Sequence, residues 1–331
     1  MMGAVLVTGG AGYVGSHAVK ALRESGLEVV VLDNLVAGHR EAVAGGPLVE
    51  ADIADTTVVR ETIRRHRVTA VMHFAALLSV GESVKTPAIY YRNNVARTLA
   101  LLDALVEESV ERFIFSSTAA VYGNPEEVPI REEHPTQPIN AYGETKLAIE
   151  RALPHYALAY GLRFVCLRYF NAAGAHPSGA IGEDHRPEIH LIPRAIAATG
   201  GDSRLEIFGD DYPTQDGTCE RDYVHVSDLA DAHLLALKAL DGGGGAPAYN
   251  LGNGRGYSVK DVIAAVERVT GRLVGHAVAP RRPGDPAVLR ASSARARDGL
   301  GWTPRFEELD VIVRTAWEWH RDHPDGYEGH S

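Results

Sequence analysis

A chain of 331 residues with 45% hydrophobic and 23% charged residues has the material for one large or two modest domains with buried cores, so disorder is not its default. Its formal net charge of -10 argues against a general polyanion-binding surface and against nucleic acid as a partner. No window approaches ~18 uninterrupted apolar residues and the N-terminus enters a strand without a cleavable leader pattern, so no membrane role is expected and the chain reads as cytoplasmic.

In chain order, short apolar runs alternate with stretches of helical spacing. Strands are expected at Ala4–Thr8, Val29–Asp33, Ala70–Phe74, Arg112–Ser116 and Arg163–Tyr169. Helices are expected between them at Val14–Ser25, Thr56–His66, Asn94–Ser109 and Tyr142–Tyr160. That rhythm is βαβ and predicts an α/β fold with a Rossmann-type, doubly wound parallel sheet. After Asn171 the stretch "AAGAHPSGAIGEDHRPEIH" is rich in glycine and proline, where regular elements need neither. The expected division is therefore residues 1–171 as a dinucleotide-binding domain and residues 172–331 as a smaller, loop-rich α/β substrate domain. Strand-like segments "RDYVHV" and "AYNLG", within 221–252, are expected to return to the main sheet. The glycine run Gly242–Gly245 reads as a surface loop.

Cys166 and Cys219 lie far apart without metal-type spacing and read as ordinary thiols. The 15 histidines follow no ligand pattern such as His-Glu-x-x-His, so no metal is expected.

Chemistry first shows at "GGAGYVG", residues 9–15. Gly9, Gly12 and Gly15 follow a strand and open a helix, where a tight turn lets backbone and helix N-terminus approach a pyrophosphate. Asp33, ending the second strand, can accept from adenosine ribose hydroxyls and repel a 2′-phosphate, favouring NAD over NADP. The glycine spacing resembles the extended short-chain dehydrogenase/reductase superfamily. That resemblance implies a Tyr-x-x-x-Lys helix, and Tyr142-Gly-Glu-Thr-Lys146 supplies it. The two share one helical face, and an ammonium near the phenol would lower its pKa toward that of a base.

Longer blocks narrow the match. "TGGAGYVGSH", "HFAA", "VGESV", "SSTAAVYGNP", "LRYFNAAGAHPSGAIGEDH", "FGDDYPTQDGTCERDYVHVSDLADAH", "YNLGNGRGYSV" and "RRPGD" resemble, in order, the UDP-glucose 4-epimerases over nearly the whole chain. The resemblance implies interconversion of UDP-glucose and UDP-galactose, in galactose metabolism, through a 4-keto sugar and a tightly held NAD. Tyr142 would act as base at the sugar 4-hydroxyl, Lys146 would hold the phenolate charge and the nicotinamide ribose, and Thr118 would hydrogen-bond the sugar oxygen. Gly9, Gly12, Tyr13, Val14, Gly15, Asp33, Asn34, Asp52, Ile53, Phe74, Ala75, Ala76, Asn93, Tyr142, Lys146 and Phe170 are implied around NAD. Thr118, Asn171, His190, Leu191, Phe208, Arg221, Arg282, Asp285 and Leu289 are implied around the UDP-sugar. Two arginines suit a diphosphate because their donors are charged and geometrically specific.

Three positions depart from the family pattern. Leu78 stands where many members have lysine, and His190 where many have asparagine. Leu289 stands at the position that gates the sugar pocket, intermediate between the tyrosine that excludes N-acetylated sugars and the small residues that admit them. An epimerase of UDP-N-acetylhexosamines or UDP-uronic acids is the alternative activity. A 4,6-dehydratase is disfavoured because Thr118-Ala119-Ala120 lacks the acid and base such enzymes carry there. A non-catalytic NAD sensor would need neither Tyr142 and Lys146 in register nor the arginine blocks. The resemblance also implies a homodimer, through the helices at 94–109 and 142–160.

Overall fold

Valine-rich runs such as VLVT and VVVLD carry the branched side chains that suit a strand buried on both faces. In the computed structural model, which describes residues 3–43, 45–201, 204–243, 245, 247–282 and 285–327, they form a seven-stranded parallel sheet. The strands are β1 (Val5–Thr8), β2 (Val29–Asp33), β3 (Leu48–Glu50), β4 (Ala70–His73), β5 (Arg112–Thr118), β6 (Arg163–Tyr169), β7 (Asn171–Ala173), β8 (Leu205–Phe208), β9 (Glu220–Arg221), β10 (Tyr223–His225), β11 (Ala248–Leu251), β12 (Tyr257–Ser258), β13 (His276–Ala279) and β14 (Val288–Leu289). Spatial order in the main sheet is β11-β6-β5-β4-β1-β2-β3. The winding reverses between β1 and β4, so a ligand crevice opens beyond the carboxyl ends of those two strands.

The helices are α1 (Tyr13–Glu24), α2 (Thr56–His66), α3 (Val80–Lys85), α4 (Pro87–Tyr90), α5 (Arg97–Glu107), α6 (Ala141–Tyr160), α7 (Leu191–Ala197), α8 (Val226–Asp241), α9 (Val259–Thr270), α10 (Ala294–Leu300) and α11 (Leu309–Asp322). Strand side chains alternate between faces. Val5, Val7, Val29 and Val31 pack with Val19 of α1 and Leu229 and Leu237 of α8. Leu6, Val30, Leu32 and Val71 pack with Ile63 of α2, Leu101 of α5 and Ile149 of α6. A third core joins Ile192, Ile207, Val262 and Ile312 across α7, β8, α9 and α11.

The structure departs from the sequence reading in three places. β3 extends the sheet edge although no strand was expected there; it is three residues long and half-exposed, so it carries almost no alternation to read. Residues 91–96 form a π-helical turn ahead of α5, where a single helix from Asn94 was expected. Of the segments expected to return to the main sheet, only β11 does so, pairing with β6. β10 pairs with β7, and β9 lies between β12 and β14, because β11 takes the edge of β6. Gly244 of the glycine run, and Pro283 and Gly284 of the "RRPGD" block, lie outside the described residues. Both cysteines are free, and no described helix is long and apolar enough to cross a membrane.

Candidate active site

The three glycines after β1 do different work. A Cβ on Gly9, which sits at φ +72°, would lie 2.4 Å from the Ala75 nitrogen, and one on Gly15 would lie 2.1 Å from the Gly9 oxygen. Both therefore permit close packing of turn, helix and β4 loop. A Cβ on Gly12 would meet nothing nearer than the Gly9 oxygen at 3.4 Å. Gly12 caps α1 without a side-chain hydrogen bond, so the first helical N–H groups face open space that suits a pyrophosphate. The residues present thus fit a dinucleotide.

Around this cradle the expected NAD residues next to β1, β2 and β4 stand at the carboxyl ends of those strands. Asp33 is buried and already accepts from the Ala11 and Leu35 nitrogens, at 2.9 Å each, so it also fixes the glycine turn to the end of β2. Tyr13 donates to the Gly174 carbonyl at 2.6 Å, and Val14 packs against the core below. Asp52 pairs with Arg97 at 2.7 Å, and Arg97 also donates to Asn93 at 2.9 Å. Asn34 reaches Asp52 at 3.4 Å, while Ile53 is buried. The nitrogens of Phe74 and Ala75 bond the Thr8 carbonyl, which brings the 74–76 loop over Gly9. Leu78 is exposed.

Tyr142 and Lys146 lie one turn apart on α6. Asn140 caps the helix by accepting from the Gly143 nitrogen at 2.9 Å. Gly143 sits so close to the turn after β5 that a Cβ there would lie 2.5 Å from the Ala120 oxygen. This contact sets Tyr142 beside Thr118 at the end of β5. Burial raises the Tyr142 phenol above its ordinary value of about 10, and the Thr118 hydrogen bond opposes that rise. The Lys146 ammonium donates to the Ser116 carbonyl at 2.8 Å and lies 5.0 Å above the Phe115 ring. Burial lowers its pKa to about 7, with Glu150 pulling the other way. The expected depression of the tyrosine pKa by the lysine does not appear: burial dominates, only Thr118 opposes it, and the ammonium is engaged with a backbone carbonyl.

Farther along the chain, Arg221 pairs with Asp285, and the Arg282 guanidinium stacks 3.8 Å from the Phe208 ring centre. Leu289 sits beside Arg221 in the β14–β9 register and packs against the cluster of Ala119, Tyr122, Leu147 and Phe170. Asn171 is tied to the Asp222 carbonyl by its side chain at 3.0 Å. His190 caps α7 and bonds Glu183 through Nδ1, while Leu191 packs into the third core. Those last two are engaged with protein groups.

The fold thus carries a nucleotide cradle after β1, a Tyr-Lys helix at the end of β5 and, joined to that end through Leu289, the arginine-bearing strand β9. The profile of the NAD-dependent epimerase/dehydratase family matches residues 5–252. The chain belongs to that family. It is 53% identical over 325 residues to the UDP-glucose 4-epimerase of Halalkalibacterium halodurans, covering 98% of this chain and 97% of that one. Among solved structures, the UDP-glucose 4-epimerase of Brucella ovis in complex with NAD superposes with a TM-score of 0.93 at 51% identity, covering 95% of this chain and 97% of that one. The Bifidobacterium longum enzyme in complex with NAD+ and UDP gives 0.93 at 39% identity, covering 98% of this chain and 100% of that one.

In this epimerase/dehydratase, several site-supporting residues escaped the sequence reading. Asn94 bridges the Leu77 nitrogen at 2.9 Å, the Leu77 carbonyl at 3.0 Å and Thr145 at 3.1 Å, tying the 74–78 loop to α6. Buried Asp222 accepts from the backbone of Asn253, Gly254 and Ala291 at 2.8–3.0 Å. Burial raises its carboxyl to about 6 against those bonds. Behind Lys146, Glu150 and Arg168 form a buried ion pair that also engages Ser117 and Tyr122. Tyr-x-x-x-Lys-x-x-x-Glu on one helix face was the available signal.

Proposed function

We propose that this chain interconverts UDP-glucose and UDP-galactose by transient oxidation at sugar carbon 4. The observation that carries the reading is the hydrogen bond that holds Tyr142 of α6 to Thr118 at the carboxyl end of β5. Gly9, Gly12 and Gly15 with Asp33 would hold NAD, which would supply the hydride acceptor and donor that the chemistry at carbon 4 needs. Tyr142 takes the proton of the 4-hydroxyl and gives it back after the keto sugar has turned. Thr118 donates to the oxygen that gains charge, and Lys146 places a positive charge behind the tyrosine. Arg221 and Arg282 grip the diphosphate, about which the sugar turns, with Asp285 accepting from the uridine ribose. Residues 1–171 carry the cofactor and residues 172–331 the sugar nucleotide in this scheme.

A homodimer built through α5 and α6 and a cytoplasmic location complete the proposal; the unpaired cysteines support the second. The test is conversion of UDP-galactose by purified protein beside a Tyr142→Phe variant. Loss of about a hundredfold or more in kcat supports the role of base. A variant within about threefold of the parent would remove Tyr142 from proton transfer.

A further inference from the structure

Two histidines and two glutamates lie within eight residues of the loop between β7 and α7. Glu183, His185, Glu188 and His190 each bring one ligand atom to within 4.8 Å of the other three. The spacing Glu-x-His-x-x-Glu-x-His folds both imidazoles and both carboxylates toward one point. Two neutral imidazoles and two carboxylates carry a charge of -2, which a divalent cation would cancel. The Nδ1 of His185 is buried and makes no hydrogen bond, although Glu183 Oε1 lies 3.1 Å and Glu188 Oε2 3.7 Å away. A cavity of about 820 Å³, lined by Glu183, His185, Glu188, Trp319, His320 and His323, gives an ion a way in.

We propose that these four residues bind one zinc ion. Zinc takes mixed nitrogen and oxygen ligands in a tetrahedron with bonds of about 2.0–2.2 Å, so the side chains need to close by only about an ångström. The ion is structural: all four positions are filled by protein, which leaves none for substrate. It fastens the 183–190 loop where that loop meets both α11 and the nucleotide cradle. A Cβ on Gly182 would lie 2.3 Å from the Trp319 ring, and the His185 ring lies 6.1 Å from that of Tyr13. The competing arrangement is a closed quartet in which both histidines are protonated and pair with the carboxylates.

The experiment uses the full chain, stripped with a chelator, incubated with zinc chloride and passed through gel filtration in metal-free buffer. Zinc is then counted by mass spectrometry, and melting is followed with and without the metal. The expected result is about one zinc per chain, a higher melting temperature with zinc, and affinity reduced at least about tenfold in His185→Gln and in Glu188→Gln. Glu188 is only half-buried, so its variant serves if His185→Gln fails to fold. Zinc well below one per chain, or full retention in the variants that fold, overturns the proposal in favour of the protonated quartet or of binding elsewhere.

Discussion

Arg168 and Glu150 keep side-chain exposures of 9% and 6%, so each depends on the other to offset the loss of water. Desolvation works against the charged guanidinium, but hydrogen bonding and charge from Glu150 overcome it and hold the pKa above its ordinary value. Removing one partner of such a pair is worse than replacing both, because the remaining charge stays buried. Glu150→Gln is expected to destabilise the fold by about 3–5 kcal/mol in denaturant unfolding. A cost below about 1 kcal/mol would mean that Tyr122, which accepts from Arg168 at 2.9 Å, and the Glu132 carbonyl suffice. The Tyr142–Lys146 pair one turn earlier was legible because four-residue spacing on a helix is local. Arg168 was not, since it lies 18 positions beyond Glu150, on the next strand, β6.

α5 and α6 cover the same sheet face and are tied by the Tyr156 hydroxyl, which donates to Asp103 at 2.6 Å. Their inward residues Leu101, Leu105, Ile149 and Leu153 are buried. Leu158 of α6, at 89% exposure, and Tyr160, at 60%, are apolar surface that core packing leaves uncovered. A second copy of the helix pair would cover it, as the proposed dimer requires. Light scattering after size exclusion is expected to give twice the chain mass, with Leu158→Glu shifting the protein toward monomer. A monomeric parent at micromolar concentration would end that reading. Helical spacing places these helices but not their outward faces: it shows which residues share a stripe, while the outer ends are polar or apolar according to partners elsewhere in the assembly.

Four histidines are buried: loss of water lowers His17, His73 and His225 to about 3 and His233 to about 4. In the unfolded chain they protonate near 6.5. Between pH 6.5 and about 4 the unfolded state therefore binds more protons, and stability falls as pH falls. Asp222, raised to about 6 by burial, and Asp228, also raised by burial, act in the opposite sense below that pH, and His185 and His190, held above 6.5 by Glu183 and Glu188, do so only near pH 6.5, while His176 and His320 are lowered along with the four. Stability is expected to decline from pH 6.5 to 4.5, with each histidine contributing at most ~1.4 kcal/mol per pH unit. Denaturant midpoints across that range check this, and a flat or rising profile would refute it.

Residue order alone shows the βαβ rhythm, the glycine turn, Asp33 at a strand end and the Tyr142–Lys146 register. Each depends on a few consecutive residues whose backbone preferences and periodicity are local. The third dimension decides the rest. It joins Asp222 to Asn253, Gly254 and Ala291, across 31 to 69 positions. It gives β11 rather than β10 the edge of β6, and it engages Lys146 with the Ser116 carbonyl instead of leaving it to the phenol. It also draws two glutamates and two histidines of an irregular loop to one point. Such contacts follow from which faces pack and which charges lose their water, and these quantities exist only once the chain has closed on itself.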